Sequence, residues 1–386
     1  MKVLLTNFHP APTGGGHSTY VLSLFKNLSS CHSEGMSPMK PQLFIAAPKT
    51  SYIYNQAQKI APDRVFDVEF PTKFKEIVGI FKAVWSLKNL HTQYQFDIIH
   101  TNGSSDHHIA LYLKWIGFFT LRNLRHRQNF HILRTKHDTK PFKNPFHKIE
   151  AMFTTRYIVV SEWLKNLFTN LTTPVDVVHN GIDVNYFKPR EKNNHLAQQL
   201  GIQPDDFVLV SCAGNSAWKG WHFLTQAIAD MPEEFRSSIK IIFTGKPVTG
   251  ERFKTYVEDL GLSKQVLYSG FVGDIRPYIA LGHIGFVLSH RIEAISFACR
   301  QMMAMGKPVI VSDYAGLPEN LDNDLNGWIV KTADIVALRE KIIDIMKNRH
   351  HLAQISAEAS KKAHMEFNDT VFLQKTLHSY QLCMGV

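Results

Sequence analysis

Glu293 stands between an apolar run, Ile284 to Leu288, and a stretch from 294 to 305 rich in helix-forming Ala, Met, Arg and Gln that ends at Gly306. A second apolar run, Pro308 to Val311, follows, so the pattern predicts one strand, loop, helix, strand unit. The start of such a helix presents unpaired backbone N–H groups and the positive end of the helix dipole, which favours a phosphate-bearing ligand. Gln301 lies eight residues beyond Glu293, about 12 Å along a helical axis. A ligand with both phosphate and sugar parts can span the two.

Other candidates also stand where strands give way to helices. Lys219 follows AGNSAW and precedes GWHFLTQAIADM; a cation at that helix start can neutralise a diphosphate leaving group, although on the residues alone a solvated lysine is the simpler reading. Gly14, Gly15 and Gly16 lie between the first predicted strand and the first predicted helix, where a tight turn and a ligand loop fit about equally. They make a poor dinucleotide fingerprint, because LFIAAPK supplies no acid after the second strand. His100 and His137 each close a predicted strand and are expected at the rim of a cleft. A lone histidine is more often structural than catalytic, and no Cys or Ser nucleophile is spaced to use either one.

These segments, taken in order, resemble the retaining glycosyltransferases of the GT-B fold, glycosyltransferase family 4, of the bacterial cell-surface glycan type. The resemblance is carried by TGGGHSTYV, FDIIHTNG, LRTKHD, YIVVSEWLKNLF, VVHNGIDVNYFKP, AGNSAWKGWHFL and the stretch from Ser289 to Glu319. The last is similar to the family's Glu-x7-Glu signature, with Glu293 as first acid. It implies that His137 contacts the transferred sugar from the opposing domain, with Asp138 beside it and His100 on the acceptor side. It also implies that Gly15 and Gly16 face the diphosphate, that Lys219 and the backbone at Ile295, Ser296 and Phe297 hold it, and that residue 301 reads the ribose. Retention by front-face attack is implied, with no protein nucleophile and no required metal or cofactor. Three departures stand out. The family's aromatic-glycine pair after the first Glu is here Ile295-Ser296. Asn215 occupies the position of an Arg of the phosphate clamp, and Gln301 that of the second Glu. Gln accepts one ribose hydroxyl but lacks the charge-assisted bonds of a carboxylate.

At 386 residues the chain is long for one core. Predicted strands (3–6, 43–47, 97–100, 132–135, 157–160) alternate with helical stretches, and the alternation restarts at Phe207 after the turn His179-Asn180-Gly181 and the polar REKNNH run. The expected fold is therefore α/β: GT-B, with two Rossmann-like parallel-sheet domains facing across a cleft and a C-terminal helix crossing back to the first. The expected boundaries are 1–187 for the acceptor domain, 188–366 for the nucleotide-sugar donor domain and 367–386 for the returning helix.

A formal charge of +10 and a pI near 9.3 call for an anionic partner. Residues 72–90 set Phe74, Ile77, Phe81, Val84 and Trp85 at helical spacing beside Lys73, Lys75, Lys82 and Lys88. Residues 114–156 hold ten Lys and Arg against Asp138 and Glu150. An anionic membrane surface is the expected partner; nucleic acid is not, since no helix-turn-helix, zinc-finger or RNP pattern accompanies the charge. Four scattered cysteines without a CxxC pair fit a reducing cytoplasm, and no run is apolar enough to span a bilayer. The expected protein is thus cytoplasmic and peripheral on the inner membrane face. It is expected to move a sugar from a UDP- or GDP-sugar to a glycan or lipid-linked acceptor in polysaccharide or lipopolysaccharide synthesis. A nonhydrolysing sugar-nucleotide epimerase and a GT-B binding protein without turnover are the alternatives.

Overall fold

The computed structural model describes residues 1–30, 41–71, 76–120, 130–140, 145–168, 171–245 and 251–385. Strands and helices alternate through them, and the chain divides into two compact units, Met1–Gly181 with Asp369–Val386, and Ile182–Asn368. The division falls before Ile182 rather than after Phe187. Ile182 donates its N–H to Phe367 O at 2.8 Å and packs, with Val184 and Phe187, into the core of the second unit.

The first unit opens with β1 (Lys2–Thr6), α1 (Gly16–Ser30), β2 (Gln42–Ala47), α2 (Tyr52–Gln58) and β3 (Val65–Asp67). It continues with α3 (Ile77–Tyr94), β4 (Ile98–Thr101), α4 (Ser104–Thr120), β5 (His131–Lys136), α5 (Pro145–Phe153), β6 (Arg156–Val159), α6 (Glu162–Lys165) and β7 (Val175–Val177). The strands form a parallel seven-stranded sheet in the order β3-β2-β1-β4-β5-β6-β7. Crossovers run one way from β1 to β3 and the other way from β3 to β7. Right-handedness therefore puts α1 and α2 on one face and α3, α4 and α5 on the other. The direction reverses between β1 and β4, where the loops after the two strands part.

The second unit contains α7 (Asn194–Gln199), β8 (Phe207–Ser211), α8 (Trp221–Ala229), α9 (Glu233–Arg236), β9 (Ile239–Thr244), α10 (Glu251–Asp259) and β10 (Val266–Gly270). Then come α11 (Arg276–Leu281), β11 (Ile284–Val287), α12 (Phe297–Ala304), β12 (Val309–Ser312), β13 (Gly327–Val330), α13 (Ile335–Lys347) and α14 (Leu352–Glu366). Its parallel sheet runs β10-β9-β8-β11-β12-β13, so the reversal lies between β8 and β11. Phe207 and Leu209 enter one apolar cluster while Val208 and Val210 enter another. Both faces of the sheet are covered, which is why its strands read as unbroken apolar runs.

The last helix, α15 (Asp369–Met384), belongs to the first unit and packs on α1, β5 and β6. Ser23 Oγ and Asn27 Nδ2 donate to the carboxylate of Asp369 at 3.0 and 3.1 Å, satisfying the acid at the helix start. Farther along, the Tyr380 hydroxyl meets His100 Nδ1 at 2.8 Å.

Gly220 joins the short 3-10 turn Ala217–Lys219 to α8 with φ +73°, and a Cβ there would lie 1.9 Å from Leu288 O. Only glycine lets the loop after β8 close onto the end of β11. Gly220→Ala is expected to cost at least about 1–3 kcal/mol and to lower the melting temperature by several degrees, at roughly 2–4 °C per kcal/mol for a unit of this size. Calorimetry showing a shift of less than about 1 °C would mean that the two loops do not meet this closely.

Candidate functional site

Where the sheet of the second unit reverses, the loops after β8 and β11 meet. Lys219 Nζ donates to Glu293 Oε2 at 2.6 Å, and the Ser289 hydroxyl donates to the same oxygen at 3.0 Å. Ser289 is itself fixed, its carbonyl accepting from Ser312 Oγ at 2.6 Å. The Glu293 side chain is 9% exposed and that of Lys219 20%, so the pair lies at the mouth of the crevice with its charges only partly hydrated. His290 N donates to Trp218 O at 3.0 Å and ties the two loops together on the other side of the lysine. Just before the acid, Ile292 takes a positive φ of 53°, a costly conformation for a β-branched residue. The turn it makes aims Glu293 inward while Ile292 itself stays exposed.

The helix expected over 294–305 begins only at Phe297. Ser296 is in the β region at φ −117° and accepts from Cys299 N at 3.2 Å, so it caps α12 and cannot be part of it. Residues 293–296 are a loop, and the 12 Å helical spacing from Glu293 to Gln301 does not hold. The cap leaves the backbone N–H groups of Ile295, Ser296, Phe297 and Ala298 without hydrogen-bond partners among the described residues. They sit at the positive end of α12. Gln301 is half-buried on the same stripe of the helix as Phe297, whereas Arg300 beside it is fully buried, donating from Nε to Asn320 Oδ1 at 2.8 Å. Asn215 is buried, close to the Tyr268 hydroxyl, which donates to Gly245 O at 3.0 Å.

In the first unit the reversal between β1 and β4 gathers a polar cluster around one buried acid. Asp106, fully buried, accepts from Thr6 Oγ1 at 2.6 Å and from Asn102 N at 2.8 Å. The Asn102 amide donates to Thr6 O and His100 O, which turns its Oδ1 toward His137 Nε2 at 3.5 Å. That orientation places the His137 proton on Nε2 and leaves Nδ1 as an acceptor. His17 follows Gly16 at the start of α1; its Nε2 donates to Asn102 O, its Nδ1 lies 3.3 Å from Asn7 Nδ2, and its ring meets His137 edge-on at 4.5 Å. Gly15 has open space where a Cβ would stand. Asp138 is exposed and accepts from the buried Lys136 Nζ at 2.7 Å.

His100 corrects the expectation of a rim residue. It is fully buried, with Nδ1 on the Tyr380 hydroxyl and Nε2 on Thr135 Oγ1 at 2.7 Å, because β4 is a central strand and α15 covers its face. Its place is structural. Sequence reading also missed His17, Asn102 and Asp106. Only His17 carried a local signal, standing directly after the three glycines.

Two family models match the chain: Glycosyltransferase Family 4 over residues 14–186 and Glycosyl transferases group 1 over residues 192–362. A UDP-Gal:alpha-D-GlcNAc-diphosphoundecaprenol alpha-1,3-galactosyltransferase of Escherichia coli is 22% identical over 313 residues, covering 79% of each chain. Among solved structures, a glycosyltransferase from Rickettsia africae has a TM-score of 0.82 at 18% identity, covering 99% of this chain and 98% of that one. Anabaena HepE in complex with UDP-glucose has a TM-score of 0.76 at 19% identity, covering 99% and 100%. The two sheets, each with its reversal point, are those of a GT-B glycosyltransferase. Within that class the chain belongs to glycosyltransferase family 4.

Burial holds the buried imidazoles neutral. It pushes His100 down to about 3, and it pushes His107 and His137 well below the ordinary value, helped for His107 chiefly by Arg134 and for His137 by His17. The unfolded chain takes up these protons near pH 6.5 and the folded chain does not, so stability is undiminished above pH 6.5 and declines as pH falls toward 3. Each such histidine contributes a slope of about 1.4 kcal/mol per pH unit. His100→Gln is expected to make the acid decline shallower by about that slope in urea titrations between pH 6 and 4. An unchanged slope would mean that His100 is protonated in the folded protein.

Proposed function

We propose that this chain moves a sugar, with retention of configuration, from a nucleotide diphosphate sugar to a lipid-linked or glycan acceptor during cell-surface polysaccharide synthesis. The observation that carries the reading is the convergence of Lys219, Glu293 and the unpartnered N–H groups of Ile295 to Ala298 at the reversal point of the second sheet. Such a site holds a departing diphosphate: the ammonium and the amides meet the charge that grows on the leaving oxygen. Glu293 accepts from donor-sugar hydroxyls while Ser289 and Lys219 hold it in place. Gln301 reads one ribose hydroxyl, and His137 offers its Nδ1 lone pair to the transferred sugar. Gly15 lets the loop before α1 approach a ligand closely. The UDP-glucose complex of HepE and the UDP-galactose donor of the E. coli relative support a nucleotide-sugar donor; the diphosphoundecaprenol of the latter supports a lipid-linked acceptor.

A surface for such an acceptor lies on α3. Ile77, Val78, Phe81 and Trp85 are exposed, the last two at 64% and 66%, and Lys82 and Lys88 stand among them. Val84, expected on the same stripe, faces the core instead, and Val78 takes its place outside. Lys73, Phe74 and Lys75 lie outside the described residues, as do 121–129 and 141–144 of the second basic stretch. No helix among the described residues is long and apolar enough to cross a membrane. The reading is therefore of a peripheral protein on the inner face of the cell membrane, held by aromatic insertion and by attraction of lysines to anionic lipid.

Thermal-shift titration with UDP-glucose and GDP-mannose tests the donor site. One of them is expected to raise the melting temperature of the wild type and to lose most of that effect in Lys219→Ala. Turnover with that donor should fall roughly 100-fold in Lys219→Ala or Glu293→Ala. Equal shifts and turnover in wild type and variants would remove the pair from the reaction.

Sedimentation with vesicles tests the membrane face. The protein is expected to bind anionic but not neutral liposomes, to leave them as salt rises, and to lose binding when Phe81→Ser and Trp85→Ser are combined. A double variant that still sediments would place the membrane contact elsewhere.

A further inference from the structure

At the amino-terminal ends of β8 and β11, the end of the sheet away from Lys219 and Glu293, a cavity of about 390 Å³ is lined by Lys192, Asn194, Gln198, Gln203, Asp206 and His283, among others. The His283 ring is held rigidly. Its backbone N–H donates to Val208 O at 2.8 Å, and its Nδ1 accepts from Val208 N at 2.9 Å. With Nδ1 occupied as an acceptor, the neutral ring carries its proton on Nε2. That N–H points at Lys192 Nζ, 3.2 Å away. An ammonium has no lone pair to offer, so two donors face each other and neither satisfies the other.

The surroundings add positive charge. Burial, then Lys192, Arg349 and Lys307, push His283 down to about 4, and burial together with Lys192 pushes Lys307 down to about 8. Among the described residues no carboxylate contributes to either shift. Arg349 sits over the Phe207 ring at 5.6 Å, and that ring stacks on His283 at 5.3 Å. Lys307 Nζ donates to Ala280 O at 3.1 Å. Asp206 is the one acid on the cavity wall among the described residues; its Oδ2 accepts from Gln203 N at 2.7 Å, and among those residues it forms no ion pair with Lys192 or His283. Facing donors in a field of this sign need a shared acceptor that carries negative charge. The cavity is larger than a single ion, and the amides of Asn194 and Gln198 on its wall can bond to whatever the anion is attached to.

We propose that this cavity binds a phosphate group, free or esterified, between Lys192 Nζ and His283 Nε2–H, at a site separate from the donor crevice. A tetrahedral phosphate offers an oxygen to each donor and has others left for the wall. The site answers part of the anionic demand that the composition makes and that the donor site does not use.

The test is the His283 ring signal in protein labelled with ¹⁵N-histidine, assigned by its loss in His283→Gln. The full-length chain is titrated with inorganic phosphate and, separately, with glycerol 3-phosphate, against sodium chloride at matched ionic strength. The Nε2 signal is expected to move saturably with at least one of the phosphates, and Lys192→Ala is expected to weaken that binding roughly tenfold or more. Saturation by inorganic phosphate identifies a site for the free ion; saturation only by glycerol 3-phosphate identifies one for an esterified phosphate. A signal that stays still, that follows chloride equally, or that titrates unchanged in Lys192→Ala overturns the proposal.

Discussion

The handedness of crossover connections is the constraint on which both sites depend. A parallel sheet whose crossovers all run one way carries its helices on one face and leaves no crevice. Here the direction reverses once in each sheet, between β1 and β4 and between β8 and β11. The loops leaving those neighbouring strands must turn to opposite faces, and the gap between them is lined by whatever the chain places at the two strand ends. In the second unit these are Lys219 and Glu293; in the first they are His17, Asn102 and Asp106, with His137 one strand farther on.

The two crevices differ in electrostatic character. That of the second unit holds a charged pair beside a helix start whose amides are unpaired, an arrangement suited to an anion. That of the first unit holds imidazoles kept neutral by burial and oriented by one asparagine, an arrangement suited to hydroxyl groups. The buried pairing of His100 with Tyr380 and Thr135 runs under this second cluster and ties it to α15, so the C-terminal helix supports the site without reaching it. Arg300 has a similar supporting place in the other unit. Its guanidinium lies 4.1 Å over the Phe367 ring and holds α12 against the end of α14, next to Gln301.

A chain with this many cations also has to place them. Some lie on α3 between exposed aromatic and aliphatic side chains, which suits an interface between apolar and anionic matter. Others gather around His283, at the opposite strand ends from the donor crevice. The net charge of +10 is therefore not a uniform property of the surface.

What the sequence determined by itself was local: the alternation of apolar runs and helical stretches, the glycine loop before α1, and the loops carrying Lys219 and Glu293. Each rests on residues close together in the chain, and the observed central strands lie within about two residues of their expected bounds, the usual uncertainty of such limits. The tertiary structure decided the rest. Strands β3, β7 and β13 carried no clear pattern because they are short edge strands, defined by the neighbour they pair with. The α12 start moved to Phe297 because the turn at Ile292 and the cap at Ser296 determine where helical geometry can begin. His100 proved to be core, and Asn102 and Asp106 proved to line the site, through partners that stand far away in sequence: His17 lies 85 residues from Asn102, and Thr6 lies 100 from Asp106. Parallel strands that touch are joined by long crossovers, so the contacts made at their ends are invisible to any reading of adjacent residues.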